Sequence, residues 1–100
     1  MQLVARSVNG VSIRWTEERW VHITEEHCEL AGLHLDVLET VAHPERVVAG
    51  GADELLALRE IEAGKWLVAI YRELGDDGFV ITAFLTRRKA ALERRQQLWP

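Results

Sequence analysis

Lys65-Trp66-Leu67-Val68-Ala69-Ile70-Tyr71-Arg72-Glu73-Leu74, then Gly75-Asp76-Asp77-Gly78, then Phe79-Val80-Ile81-Thr82-Ala83-Phe84-Leu85-Thr86: these consecutive runs decide the fold. The first run is apolar at odd and even positions alike through its middle, which marks a strand buried on both faces and therefore central in its sheet. The glycine–aspartate cluster is a hairpin turn, and residues 79–86 form the returning strand. Upstream, Arg46–Ala49, a Gly50-Gly51 turn and a strand over residues 54–61 complete an antiparallel meander.

The first half has a different period. Residues 3–8 and 11–15 flank Asn9-Gly10, a pair that accepts positive φ at both positions and predicts a type I′ hairpin. Thr16 caps a helix, with Glu17 and Glu18 against its N-terminal dipole. Trp20, Ile23, His27 and Leu30 then follow a three/four spacing along one face. A second helix is predicted over residues 33–42, with Leu35, Leu38 and Val41 or Ala42 inward, ending before Pro44. Residues 89–98 read as a last helix. The expected fold is α+β: an N-terminal β-hairpin and two helices packed on one face of an antiparallel sheet, with a C-terminal helix, as a single domain over residues 1–100.

Length and composition agree with one globular domain: 100 residues, 48% hydrophobic and 28% charged. A chain this size buries about two-thirds of its unfolded surface and can fold alone, although a homodimer would add core. No apolar run approaches the ~20 residues of a membrane helix, and the start lacks the basic-then-apolar order of a signal peptide. Cys28 is the single cysteine, so no internal disulfide forms, and a cytoplasmic location is expected. Charge is unevenly placed. Residues 1–86 carry seven basic against fifteen acidic side chains, a net of −8; Arg87, Arg88, Lys89, Arg94 and Arg95 against Glu93 make the tail +4. A basic tail on an acidic body is either a solvated helix face or an edge that binds phosphate.

Alternation along the strands proposes a site. If the helices cover the face of Trp66, Val68 and Ile70, then Lys65 and Tyr71 project from the opposite, uncovered side. Arg59 lies on that side with Leu55 and Ala57, and Thr82 and Thr86 are on the more polar face of the last strand. Cations, a phenol and hydroxyls together can hold a phosphate and steady developing charge on it; polar residues facing water on a half-exposed sheet give the same pattern. Of the histidines, His22 is expected at the surface among carboxylates. His27 is expected to be partly buried, and either could serve as general acid or base. His34 and His43 are expected at helix ends, facing solvent or capping, and Cys28 as a small buried residue. A metal centre is not expected. His22 and His27 are roughly 140° apart around a helix, there is no cysteine pair, and Glu60, Glu62 and Lys65 are loosely spaced. No glycine-rich phosphate loop precedes a helix, and no cofactor is expected.

Glu18-Arg19-Trp20-Val21-His22-Ile23-Thr24-Glu25-Glu26-His27 resembles the first-helix signature of small phage- and toxin-associated proteins, and residues 66–72 with 78–84 resemble their paired C-terminal strands. The family is the barnase–EndoU–colicin–RelE-like (BECR) nuclease superfamily, and the resemblance spans residues 11–88. It implies a toxin-like, metal-independent ribonuclease in which helices precede an antiparallel sheet whose open face holds the active site. RNA is then the substrate and a small antitoxin the partner, with no membrane. By position, His22 and His27 match the family's helix histidines and Thr82 its threonine in the last long strand; Arg59 and Tyr71 join the catalytic set from strand facing, with Lys65, Thr86, Arg87 and Arg88 as substrate-binding groups. Cys28 stands where close relatives would carry proline, and the acidic body is unusual for a protein that must neutralise phosphates. The alternative is a non-catalytic phage or mobile-element interaction module on the same fold.

Overall fold

A computed structural model describes residues 2–100. Among them one sheet of seven strands runs in the order β1-β2-β6-β5-β4-β3-β7, where β1 is Gln2–Arg6, β2 Ser12–Thr16, β3 Arg46–Ala49, β4 Leu55–Glu62, β5 Lys65–Leu74, β6 Asp77–Thr86 and β7 Gln97–Trp99. Helices α1 (Glu17–Glu26) and α2 (His34–Ala42) lie between β2 and β3 with a 3₁₀ turn, Cys28–Leu30, between them; α3 (Lys89–Glu93) lies between β6 and β7. The α+β class and the central place of β5 are as the sequence predicts. No helix of the described residues is long and apolar enough to cross a membrane.

The helices sit on the opposite face of β5 from the one expected. Leu67, Ala69 and Tyr71 pack with Ile23, Leu30, Val37 and Val41, whereas Trp66 and Val68 belong to a second cluster on the far face. The cause is a row of small residues. Ala57 of β4 pairs with Ala69 of β5, which pairs with Ala83 of β6, and all three are fully buried. Three neighbouring strands thus present a shallow strip, and α2 packs over β4 and β5 beside it with Val37 and Val41 inward. The bulkier Trp66, Val68 and Ile70 would hold a helix further away. Leu35, expected inward, is 65% exposed.

A bulge interrupts the strict alternation of β6. Ile70 pairs with Thr82 but Tyr71 pairs with Val80, so Ile81 is the extra residue on β6 and the alternation reverses there. Val80, Ala83 and Leu85 consequently share the helix side, and Thr82, Phe84 and Thr86 are on the far side with Phe79.

The N-terminal hairpin extends the sheet instead of packing on it. Ser12, Ile13 and Arg14 of β2 run parallel to Asp77, Gly78 and Phe79 of β6. Its turn differs from type I′, because positive φ falls on Gly10 and not on Asn9. Glu73 holds that turn: Ser7 Oγ donates to Oε2 at 2.5 Å and Asn9 Nδ2 to Oε1 at 3.0 Å. Arg14 and Asp77 meet at 2.7 Å, but both are about half exposed, so the pair contributes at most about 1 kcal/mol. The long C-terminal helix is cut short. After Glu93 the chain turns, Ala49 N donates to Gln96 O at 2.8 Å, and β7 pairs antiparallel with β3. The open edge of β3 offers backbone hydrogen bonds, and these outweigh the local helix propensity of residues 94–98.

Ala69→Leu tests the alanine strip: the added atoms meet α2 and its neighbours, and urea denaturation is expected to show a loss of about 1–3 kcal/mol or more.

Candidate functional site

The nine residues singled out by sequence do not converge. Arg59 is on the helix face, where it braces α2. Its Nε donates to Thr40 Oγ1 at 3.1 Å, and its Nη2 donates to Asp36 O at 3.1 Å and Oδ1 at 3.4 Å. Thr40, fully buried, in turn donates to Asp36 O at 2.7 Å. Lys65 and Tyr71 share that face by alternation with Leu67. Thr82 and Thr86 are on the far face, opposite Ile70 and Trp66. The uncovered side expected to unite Arg59, Lys65, Tyr71, Thr82 and Thr86 is therefore two sides of one sheet.

The histidines are separate again. His22 is exposed on α1, its Nε2 3.0 Å from Glu26 Oε1, beside an open depression lined by Thr16, Glu18, Arg19, Val21 and Glu25. His27 ends α1 half-buried, with Nδ1 3.6 Å from Glu29 Oε1. His43 is exposed at the end of α2, and His34 opens α2 half-buried, with its ring 5.6 Å from Trp20. Cys28 is exposed, not buried.

Tyr71 is fully buried and its hydroxyl has no hydrogen-bond partner among the described residues. Burial, and secondarily the charge of Glu73, push its ionisation well above the ordinary value of 10.0. A neutral, sealed phenol packs the core; it does not meet a substrate. Among the described residues no group of three or more His, Cys, Asp or Glu side chains is placed to hold a metal ion.

The far face does form a groove. Leu56, Ile70 and Phe84 make its floor, α3 supplies Ala91 and Leu92, and the Gly50–Glu54 turn closes the other wall around about 290 Å³. Thr86, Arg88 and Arg95 line it too, against the single carboxylate of Glu54. Thr86 Oγ1 accepts from Arg88 N at 3.0 Å, and Arg95 Nη1 donates to Ala49 O at 3.3 Å. The Arg88 guanidinium has no hydrogen bond or ion pair within the described residues. Arg87 lies elsewhere, near Gly64. Thr86 and Arg88 are thus brought together, while Lys65 and Arg87 stay apart from them. The strongest cation that the sequence reading left out is Arg95; its signal was the basic tail, but a continuous helix would have carried it away from the sheet.

The wall of the groove is strained. Ala52 and Asp53 adopt φ of 50° and 66°, and Glu54 N donates to Gly51 O at 2.9 Å, which is the geometry of a type I′ turn. That turn ordinarily takes Asn-Gly, and the sequence placed it two residues early, at Gly50-Gly51. Gly50 N to Glu54 O at 2.8 Å and Arg72 Nη2 to Ala52 O at 2.8 Å hold it in shape.

No family model, curated protein or solved structure matches the chain. The BECR resemblance accordingly rests on the motifs quoted above.

Two stability measurements follow from this geometry. Tyr71→Phe removes a hydroxyl that nothing satisfies, so stability at neutral pH is expected to hold or rise by about 1 kcal/mol. The wild type, whose phenol ionises far more readily unfolded than folded, loses stability as pH rises above 10.0, and Tyr71→Phe flattens that alkaline slope in denaturant titrations. Ala52→Gly relieves a left-handed backbone and is expected to raise stability by about 1 kcal/mol, read as an upward shift in the urea midpoint.

Proposed function

We propose that the protein is a non-catalytic interaction module whose far-face groove takes a short partner segment carrying carboxylates beside apolar side chains. One observation carries the reading: Arg88 and Arg95 flank a floor of Leu56, Ile70 and Phe84. The floor offers apolar burial, at roughly 25 cal/mol per Å² removed from water. The arginines give a planar, bidentate match to carboxylates and select against cationic partners. The acidic body argues against an extended polyanion such as RNA, which needs a continuous basic track, and favours a short segment whose charge ends at the groove.

A second reading, the toxin-like ribonuclease implied by the BECR resemblance, draws support from Thr82. Its hydroxyl is buried without a partner among the described residues, on the same face as Thr86. That reading needs an acid and a base at one phosphate, and His22 stands on α1 and His27 at its C-terminal end, each beside a carboxylate of its own.

Selection of a random peptide library against the folded chain distinguishes them. The expected ligands are rich in Asp or Glu next to apolar residues, and Arg88→Glu with Arg95→Glu weakens them by about tenfold or more. Enrichment without acidic residues, or binding indifferent to both arginines, overturns the module. RNA cleavage by the purified chain in chelator, lost in His22→Ala with His27→Ala and Thr82→Ala, would establish the ribonuclease.

A further inference from the structure

The groove of the far face and the tip of the β5–β6 hairpin stand on the same side of the sheet. Ile70, on the groove floor, and Leu74, at the end of β5, are four residues apart, so alternation turns both side chains to that side. They are separated by roughly 13 Å along the strand, at about 3.3 Å per residue. Leu74 is 59% exposed, and Gly75 and Asp76 after it are exposed too. Among the described residues five large apolar side chains are this open. Val21 and Leu35 stand on helices, and Val4 and Leu98 on the two edge strands; Leu74 is the one beside a turn. The Asp76 carboxylate, two residues on, makes no hydrogen bond or ion pair among the described residues, whereas Asp77 is already paired with Arg14.

Tip and groove match in chemistry. The groove offers Leu56, Ile70 and Phe84 to an apolar side chain and Arg88 with Arg95 to a carboxylate, and the two arginines outnumber its one acidic residue, Glu54. The tip offers a leucine and an aspartate two residues apart. A two-residue turn closes it: Leu74 pairs with Asp77 across Gly75, whose φ is 69°, and Asp76. Such a tip is ordered before it meets anything, so docking it costs little conformational entropy. The groove encloses about 290 Å³, which suits the end of a hairpin better than the flank of a helix. Because β5 is one continuous strand, the tip of the same chain is held away from its own groove, and the tip that enters comes from a second copy.

We propose that two copies of the chain pair far face to far face about a two-fold axis, each placing Leu74 and Asp76 in the other's groove. The inference rests on the reading of the groove as a dock for acidic and apolar segments, and it names a second copy as the partner. A socket and a knob on one surface are what a two-fold interface requires, since each contact is then made twice and the assembly closes at two. Both Leu74 side chains leave water, and each Asp76 meets Arg88 and Arg95. Two small insertions make a weak interface, so the dimer forms with rising concentration and a competing segment displaces it.

Sedimentation equilibrium at up to about 1 mM chain measures the association. The apparent mass is expected to rise with concentration from that of one chain towards that of two. Leu74→Ser is expected to weaken the dimer about tenfold or more. A charge exchange isolates the contact. Arg88→Glu with Arg95→Glu in one chain, and Asp76→Lys in another, each set like charges against one another in both contacts, and each chain alone is expected to stay monomeric. All these positions are exposed, so the variants keep the fold. Mixed in equal amounts, the two chains are expected to dimerise again, because one contact of the mixed pair is then glutamate with lysine and the other is native. A wild type that stays monomeric, a dimer indifferent to Leu74→Ser, or a mixture that stays monomeric each overturns the proposal. Binding of acidic library peptides to the groove of a chain that never dimerises overturns the second copy as partner and leaves the interaction module standing.

Discussion

The Ala57–Ala69–Ala83 strip is the constraint on which the rest of this molecule depends. A helix can approach a sheet closely only where the side chains beneath it are short, and here three consecutive strands offer a methyl group at the same level. With α2 packed over β4 and β5, Val37 and Val41 join the core beneath it and Arg59 reaches up to clasp Asp36 and Thr40. An arginine that alternation alone would send to a bare sheet surface becomes part of the helix–sheet joint. The buried hydroxyl of Thr40 is then served from two sides, which avoids the cost of an unpaired polar group in the core.

The opposite face inherits what the helices leave. Trp66, Val68, Ile70 and Phe84 are too many and too large to stand in water, and a five-residue helix covers them only in part. Leu92 of α3 buries there and Lys89 sets its ammonium 4.9 Å over the Trp66 ring. What remains uncovered, between α3 and the turn after β3, is the groove with Arg88 and Arg95. Its shape is therefore a consequence of β7 pairing with β3, since that pairing ends α3 early and swings Arg95 back onto the sheet.

The candidate catalytic residues show how side-chain chemistry and placement come apart. His22, His27, Arg59, Tyr71 and Thr82 are the right residue types for metal-free phosphate chemistry. Yet Tyr71 is sealed in hydrocarbon, Arg59 is bonded to α2 through Nε and Nη2, and Thr82 faces away from both. The aromatic contacts carry the opposite lesson. Trp20 and His34 were legible as helix-face and helix-end residues, but nothing in the spacing announced that three elements would bring the Trp20 ring within 6 Å of both Trp15 and His34.

Much was decided locally. Thr16 begins α1 because its hydroxyl accepts from Arg19 N, Pro44 follows the end of α2 because the residue before proline leaves the helical region, and β5 is central because it is apolar on both sides. Those features depend on neighbours in the chain, so they can be read from it. Which face of β5 the helices take, the reversal at Ile81, the parallel docking of β2 on β6 and the strand at Gln97–Trp99 were decided only by tertiary structure. Each depends on the size of side chains, or on free hydrogen-bonding edges, contributed by segments far away in sequence, and a period-two pattern is the same whichever face is covered.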